Sequence, residues 1–445
     1  MGKYRTPQTL CEAIFQKNEE FVDAYLRSAL PNEVNDYNIY QPRNSARAYP
    51  IELAVKRGEL DTVKKLLAKG ANASQCCYMT RNSVVGEAVR KNCLDIVKLL
   101  HHHGADLHEV NKVLEKTNLL TDAVSWGSLE MVTWLVEQGV EINLKSWRSP
   151  LDKACEYSTR DYEKVVYLLE KGAKIQWVRE DDITYQPALS YCIAQHKNAK
   201  VLNLLLENRG ESNQFFYSPS SNRYGVTHVP LIVALLLRPD SEGRKEMLQS
   251  LLNHGVKLNH RVDFNLNSMG WAVGMNGEPY DTQSKTIERI KDMNLLSLAV
   301  INAPDCIDDL LEQGLDLFEK DKNGNNLLHV LFSHSDHHQI EKKLPTIMRL
   351  LEEGVSPIDK NKKGMTPFHL FVQLLEDGLS FSTGVQQTLI ACIEHGAKAS
   401  EAYFHKKAKA TTKPEIKAFI DQLELRETLT KTTPLVSSRN SMRRL

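Results

Sequence analysis

The sequence predicts an all-α fold: a solenoid of about ten stacked helix-turn-helix repeats, joined by short turns or hairpins, with irregular insertions and a C-terminal capping helix. Three observations predict it. A polar residue, a glycine and a small or apolar residue recur as Lys69-Gly70-Ala71, His103-Gly104-Ala105, Gln138-Gly139-Val140 and Lys171-Gly172-Ala173. These four glycines are 34, 35 and 33 residues apart. An apolar stripe at helical spacing precedes each glycine, and a shorter apolar segment precedes the stripe. The pattern returns at Gly255, Gly314, Gly354 and Gly396, with a degenerate copy at Arg209-Gly210, so repeats cover roughly residues 6–400.

The clearest copy justifies the elements in order. Tyr49-Pro50-Ile51-Glu52-Leu53-Ala54 opens a short first helix, with proline in the first turn, where its missing N–H costs nothing. Gly58 ends that helix. Leu60, Val63, Leu66 and Leu67 share one face of a second helix, which Gly70 stops by entering the left-handed region. Small Ala54 lets the paired helices approach closely. Thr6-Pro7 begins a further copy that ends near Leu26.

Residues 1–210 read as regular repeats, and 211–400 as irregular repeats with insertions at 211–228, 260–293, 333–343 and 376–384. Extra residues in a stacked array must leave it through loops. Beyond them, 401–430 holds an amphipathic helix with Ile416, Phe419, Ile420 and Leu423 on one face, expected to cap the last repeat. Residues 431–445 read as a disordered tail.

Composition narrows the function. The 445 residues carry 56 Lys+Arg and 56 Asp+Glu, so no overall cationic field draws the chain to nucleic acid or an anionic membrane. The last 45 residues hold ten basic and five acidic side chains, without the interleaved aromatics of a nucleic-acid surface. No apolar run of membrane-spanning length occurs. Eight dispersed cysteines without a CxxC fit a reduced, cytoplasmic compartment.

The repeat resembles the ankyrin repeat, whose consensus runs TPLHLAA, a glycine, a VVKLLL-like stripe and a GAD-VN-like turn. Pro50, Leu53, Ala54, Gly58, Leu60, Val63, Leu66, Leu67, Gly70, Ala71 and Asn72 fall in register, and Ser149-Pro150-Leu151 and Thr366-Pro367-Phe368-His369 are further TPLH-like openings. The resemblance implies that residues just before the first-helix glycine face a concave groove. Aligned, that column reads Arg57, Lys91, Trp126, Tyr157 and Gln195. It also implies that His329 and His369, at the TPLH histidine position, tie neighbouring turns together. Leu135 followed by Glu141-Ile142-Asn143 is similar to the pattern in which a host oxygenase hydroxylates asparagine, which makes Asn143 a candidate modification site.

The turn tips read Tyr78, Lys112, Trp147, Trp177, Tyr217 and Phe264. Wet tips ordinarily carry polar residues, and Trp, Tyr and Arg dominate protein interfaces. The bland alternative is that each ring packs against its own turn. His103, His254 and His395 sit where an imidazole can bond the last carbonyls of a helix, which outweighs a metal role for His101-His102-His103. His334 and His338 would share a helical face, as zinc ligands can, but spacing identifies no third ligand. Cys11, Cys155 and Cys192 fall in first helices and read as inert core thiols, whereas Cys76 and Cys77 lie on a turn open to solvent. There is no GxxxxGK[ST], GxGxxG after a strand, HExxH or GxSxG.

The expectation is therefore a monomeric, non-enzymatic interaction module without cofactor or metal. It would bind a protein in the cytosol through the column and the tips, and no nucleic acid. Its long irregular repeats and polar tail resemble ankyrin proteins that intracellular bacteria deliver into the host cytoplasm as effectors. The alternative is a cysteine- or metal-dependent hydrolase using Cys76/Cys77 or His334/His338 and sited in the insertions.

Overall fold

The computed structural model describes residues 7–41, 46–78, 82–111, 117–144, 149–156, 158–178, 184–185, 187–195, 199–213, 215–217, 226–237, 243–260, 262–264, 290–335 and 337–398, with most of 414–425. The chain divides into two units, Met1–Pro219 and Ser220–Leu445.

The first unit stacks six helix pairs. They are α1 (Leu10–Gln16) with α2 (Glu19–Ser28), α3 (Pro50–Arg57) with α4 (Leu60–Ala68), and α5 (Val84–Arg90) with α6 (Leu94–His102). Then come α7 (Leu119–Trp126) with α8 (Leu129–Glu137), α9 (Pro150–Glu156) with α10 (Ser158–Glu170), and α11 (Pro187–Gln195) with α12 (Ala199–Glu207). Short antiparallel hairpins join several pairs: β1 (Asn38–Gln41) with β2 (Ala46–Ala48), β3 (Val110–Asn111) with β4 (Thr117–Asn118), and β5 (Trp177–Val178) with β6 (Thr184–Tyr185). Strand β7 (Phe215–Tyr217) closes the unit.

The second unit begins with β8 (Val226–Pro230) and stacks α13 (Leu231–Leu236) with α14 (Arg244–Asn253), then α15 (Leu295–Asn302) with α16 (Ile307–Glu312). It continues with α17 (Leu327–Ser333) and α18 (His337–Glu352), then α19 (Pro367–Glu376) and α20 (Thr383–Glu394). Strands β9 (Val262–Phe264) and β10 (Ile290–Met293) pair at the two ends of the 260–293 segment. Helix α18 starts inside the segment 333–343. After α20, Ile416 and Leu423 are buried and the Phe419 ring meets the edge of Phe381 at 5.3 Å. The helix pairs of the two units, six and four among the described residues, fit the all-α repeat that the glycine spacing predicts.

The local causes recur. Several first helices have a polar residue capping the start, and in the first three pairs a left-handed residue ends them. Thr9, Ser83 and Asn118 each accept a backbone N–H three residues on. The left-handed stop falls on Lys17 (φ 58°), Gly58 (φ 71°) and Asn92 (φ 55°) in the first three pairs. On α4, Val63, Leu66 and Leu67 are buried while Leu60 is half-buried, each full burial contributing about 1.5–3 kcal/mol. The second-helix stop is Gly70, Gly104, Gly139 and Gly172, with φ between 82° and 88°. The next residue's N–H then returns to the helix, as Ala71 to the Leu66 carbonyl at 3.0 Å.

The degenerate copy differs from its reading. Arg209, not Gly210, holds the left-handed position (φ 73°). Gly210 takes the role of Ala71, donating to the Leu205 carbonyl at 2.9 Å. The register is therefore one residue earlier than the glycine implies.

In the second unit, Arg244 is only 2% exposed; its Nη1 donates to the Asn302 carbonyl at 3.0 Å and to Asp305 at 2.8 Å. That bond set fixes α14 against the turn that ends α15.

Candidate functional site

The predicted column lies where the register places it. Arg57 ends α3, Lys91 follows α5, Trp126 ends α7 and Gln195 ends α11. Tyr157 lies outside the described residues.

Three contacts tie α3 to α1 and the end of α5 to α7. The Arg57 guanidinium sits 5.7 Å from the centre of the Phe15 ring on α1. Arg90 on α5 forks onto Asp122 on α7, with Nε and Nη2 at 3.1 and 3.2 Å. The Asn92 side chain, just past α5, accepts the Ser128 N–H at 2.8 Å, just past α7.

Trp126 is 64% exposed, the most exposed large apolar side chain among the described residues. Its seat is nevertheless fixed. The buried Lys164 ammonium, reaching from α10, donates to the Val124 carbonyl at 2.9 Å. The Gly127 N–H donates to Ala123 at 2.7 Å, and Asn92 holds Ser128 from the other side. An α-helix leaves its last carbonyls without partners, so a lysine from the next repeat supplies a donor there.

Of the turn tips, Tyr78 is the one whose surroundings are described. It is 39% exposed and stacks on Tyr37 at 5.1 Å, while Tyr37 meets Tyr49 edge-on at 5.8 Å and has the Arg47 guanidinium 5.8 Å from its ring centre. The Tyr78 backbone N–H donates to the fully buried Glu52 carboxylate at 2.9 Å. Tyr78 thus packs against a neighbouring hairpin and still presents surface. Trp177, Tyr217 and Phe264 lie on β5, β7 and β9. Lys112 and Trp147 lie outside the described residues.

Asn143 is bonded at both ends of its amide. Its Nδ2 donates to the Gly172 carbonyl at 3.0 Å, and its Oδ1 accepts the Lys174 N–H at 2.8 Å. Asn35 does the same with Gly70 at 2.9 Å and Asn72 at 2.8 Å, a recurrent bridge that sequence reading missed. An asparagine placed about one repeat before a following glycine turn is the signal that could have found it.

The histidines hold the backbone. His329 Nε2 lies 3.0 Å from the Met365 carbonyl, so it ties its turn to the next, as expected. His254, His334 and His395 each point Nδ1 at the carbonyl four residues earlier, at 2.8, 3.0 and 2.8 Å. Burial lowers the pKa of both His329 and His334. Among the described residues no three His, Cys, Asp or Glu side chains converge as a metal site would require.

Cys11 is buried with its thiol donating to the Ala48 carbonyl at 3.2 Å, and burial pushes its pKa up to about 12. Cys155 and Cys192 are buried against each other, and desolvation raises Cys155. Cys76 is exposed, but Cys77 is 1% exposed and so departs from the open turn expected for it. The two neighbours point to opposite sides because Cys76 pairs with Ser83 in a β-bridge. Half of the segment 211–228 and most of 260–293 lie outside the described residues, as do 401–413 and the tail 431–445. No helix among the described residues is long and apolar enough to cross a membrane.

Comparison with known proteins bears on the repeats. Residues 85–181 match the family model for ankyrin repeats, in three copies. No curated protein sequence matches this one. Among solved structures, the human ASB11 ankyrin repeat domain is similar at 22% identity and a TM-score of 0.41, over 56% of this chain and 98% of that one. Ankyrin repeats are protein–protein interaction modules. The matched copies span α5 to α10 and sit within a run of helix pairs of the same design, so residues 85–181 carry ankyrin repeats.

Proposed function

We propose that the chain is a scaffold that binds a protein partner through the face formed by Arg57, Lys91, Trp126, Tyr157 and Gln195. The tips Tyr78, Trp147, Trp177 and Tyr217 border that face in this reading. One observation carries it: Trp126 is 64% exposed on a helix end that hydrogen bonds hold from both sides. A large ring that the fold leaves unburied on a firmly held backbone is the kind of anchor that supplies about 2 kcal/mol or more at an interface.

The test is Trp126→Ala in the full chain, with partners captured from cytosol and affinity measured for each. Melting should be unchanged and affinity lowered; an unchanged partner set sinks the assignment. The long irregular repeats support the finer reading that the partner belongs to a host cell, and a translocation reporter fused to the full chain tests that. Asn143 is the proposed hydroxylation position, for which the expected sign is one added oxygen on its peptide in mass spectrometry.

A further inference from the structure

We infer that the groove between α2 and α4 seats an amphipathic helix of a partner protein, running antiparallel to both. This surface is formed by second helices, whereas Trp126 stands at the end of a first helix, so the two readings stand or fall separately.

Sequence spacing makes the groove. On α2, Glu19, Val22, Asp23, Leu26 and Arg27 follow i, i+3, i+4, i+7 and i+8, so they share one face. Asp61, Lys64, Lys65, Ala68 and Lys69 repeat that spacing on α4 and the residue after it. The two faces line a pair of open depressions. One, of about 690 Å³, lies between Leu26 and Arg27 on one side and Ala68 and Lys69 on the other. The second, of about 320 Å³, lies between Glu19 and Val22 on one side and Asp61 and Lys64 on the other. Lys65 lines both, so they join into one trough that runs the length of the helices, about 12 Å from Glu19 to Arg27.

Charge then sets direction. Glu19 pairs off across the trough with Asp61, and Arg27 with Lys69, so α2 and α4 run in the same sense and like charges gather at each end. Among the described residues Glu19, Arg27 and Lys69 form no ion pair, and Asp61 has only Lys64 at 3.5 Å, with 87% of its side chain exposed. Lys65 meets Asp23 at 2.6 Å and neutralises the middle. These side chains offset the dipoles of their helices, but a full charge exceeds the half-charge of a helix end, so the trough keeps an acidic end and a basic end.

An ordinary helix carries acidic residues in its first turn and basic residues in its last, for the same dipole reason. Laid parallel to α2 and α4, it would set like charge on like. Laid antiparallel, its acidic first turn meets Arg27 and Lys69, its basic last turn meets Glu19 and Asp61, and its dipole opposes the two beneath it. A trough between two parallel helices takes a third by ridges-into-grooves packing, and an amphipathic helix in a groove is a recurrent mode of recognition. The centre of the guest passes over a neutral ion pair, the exposed Ala68 and the edges of Val22 and Leu26, which calls for small or apolar side chains there. A small anion would use the basic end alone and meet repulsion at the other.

The experiment uses the full chain and fluorescein-labelled alanine-based peptides of sixteen residues, read by anisotropy. One carries Glu in its first turn and Lys in its last, a second has that order reversed, and a third has Gln at all those positions. The first should bind best, and more weakly as salt rises. Arg27→Glu with Lys69→Glu should lower its affinity about tenfold, as the loss of two exposed ion pairs implies. Adding Glu19→Lys and Asp61→Lys should invert the preference, so that the reversed peptide binds better; the helicity of each peptide alone cancels in that comparison. If the fourfold variant unfolds, the neutral peptide supplies the control: its affinity should be unchanged by Arg27→Glu with Lys69→Glu. Equal binding of the first and reversed peptides, no binding of either, or indifference to the twofold variant overturns the proposal. So does release of the first peptide by millimolar inorganic phosphate at constant ionic strength, which would make the basic end an anion site. Self-association of the chain alone in sedimentation, abolished by Arg27→Glu, would give the trough to a second copy and overturn it too.

Discussion

Asn143 joins two turns: its amide donates to the Gly172 carbonyl at 3.0 Å and accepts from Lys174 at 2.8 Å, 29 and 31 residues along the chain. Removing it leaves a carbonyl and an N–H to water at the edge of the stack. Asn143→Ala should therefore lower stability by about 1–2 kcal/mol. Asn143→Asp keeps the acceptor and loses the donor, so it should cost less than alanine near neutral pH. Urea unfolding of the three proteins checks the order.

The two left-handed helix stops with different residues make opposite predictions. Gly70 stands at φ 88°, and a Cβ there would come within 3.1 Å of Pro31. Gly70→Ala should destabilise by about 1–2 kcal/mol. Arg209, at φ 73°, already bears that cost, so Arg209→Gly should raise stability by about 1 kcal/mol. Differential scanning calorimetry of both variants settles the sign.

Glu109 supplies a pH signature. It reaches the hydroxyl of Ser83, the cap of α5, where Gly86 has no side chain to do so, and burial raises its pKa. A carboxyl raised in the fold prefers its protonated form there. Its contribution is full below the unfolded value of about 4.3 and is lost as pH rises through the folded value. Glu109→Gln should then be relatively more stabilising at pH 7 than at pH 4. Melting temperatures of both proteins across that range give the comparison.

Thiol chemistry should divide the cysteines by burial. Cys11, Cys306 and Cys392 are pushed up to about 12, chiefly by burial, whereas Cys76 is exposed. Maleimide applied to the native chain should modify Cys76 first, with Cys77 spared until unfolding. Peptide mapping after brief labelling reads the order, and early modification of Cys77 would contradict its burial.

Much of the stack was legible because its causes are local. A left-handed stop favours glycine, and a buried stripe must recur at helical spacing, so Gly70, Gly104, Gly139 and Gly172 declare the repeat. The reading slipped where the same job went to another residue. At Arg209 a non-glycine took the left-handed position and the glycine beside it drew the register one place too far. Cys77 was misjudged because a single β-bridge turns neighbours to opposite sides. The placement of Arg57, Trp126 and Gln195 at helix ends was legible, since register fixes where a helix stops. The fixation of the Trp126 helix end by Lys164 and Asn92 was not, because those bonds span 40 and 36 residues and depend on how neighbouring repeats meet. The partnership of Tyr78 with Tyr37 was hidden for the same reason.

Glu52 has a mechanical consequence. One buried carboxylate receives the N–H of Tyr49 at 3.3 Å and of Tyr78, 26 residues later, at 2.9 Å, while Lys56 neutralises it at 2.7 Å. Two loops that would otherwise fluctuate separately share one pivot. The tip at Tyr78 and the start of α3 are therefore tied through a single carboxylate, and loss of Glu52 would release both at once.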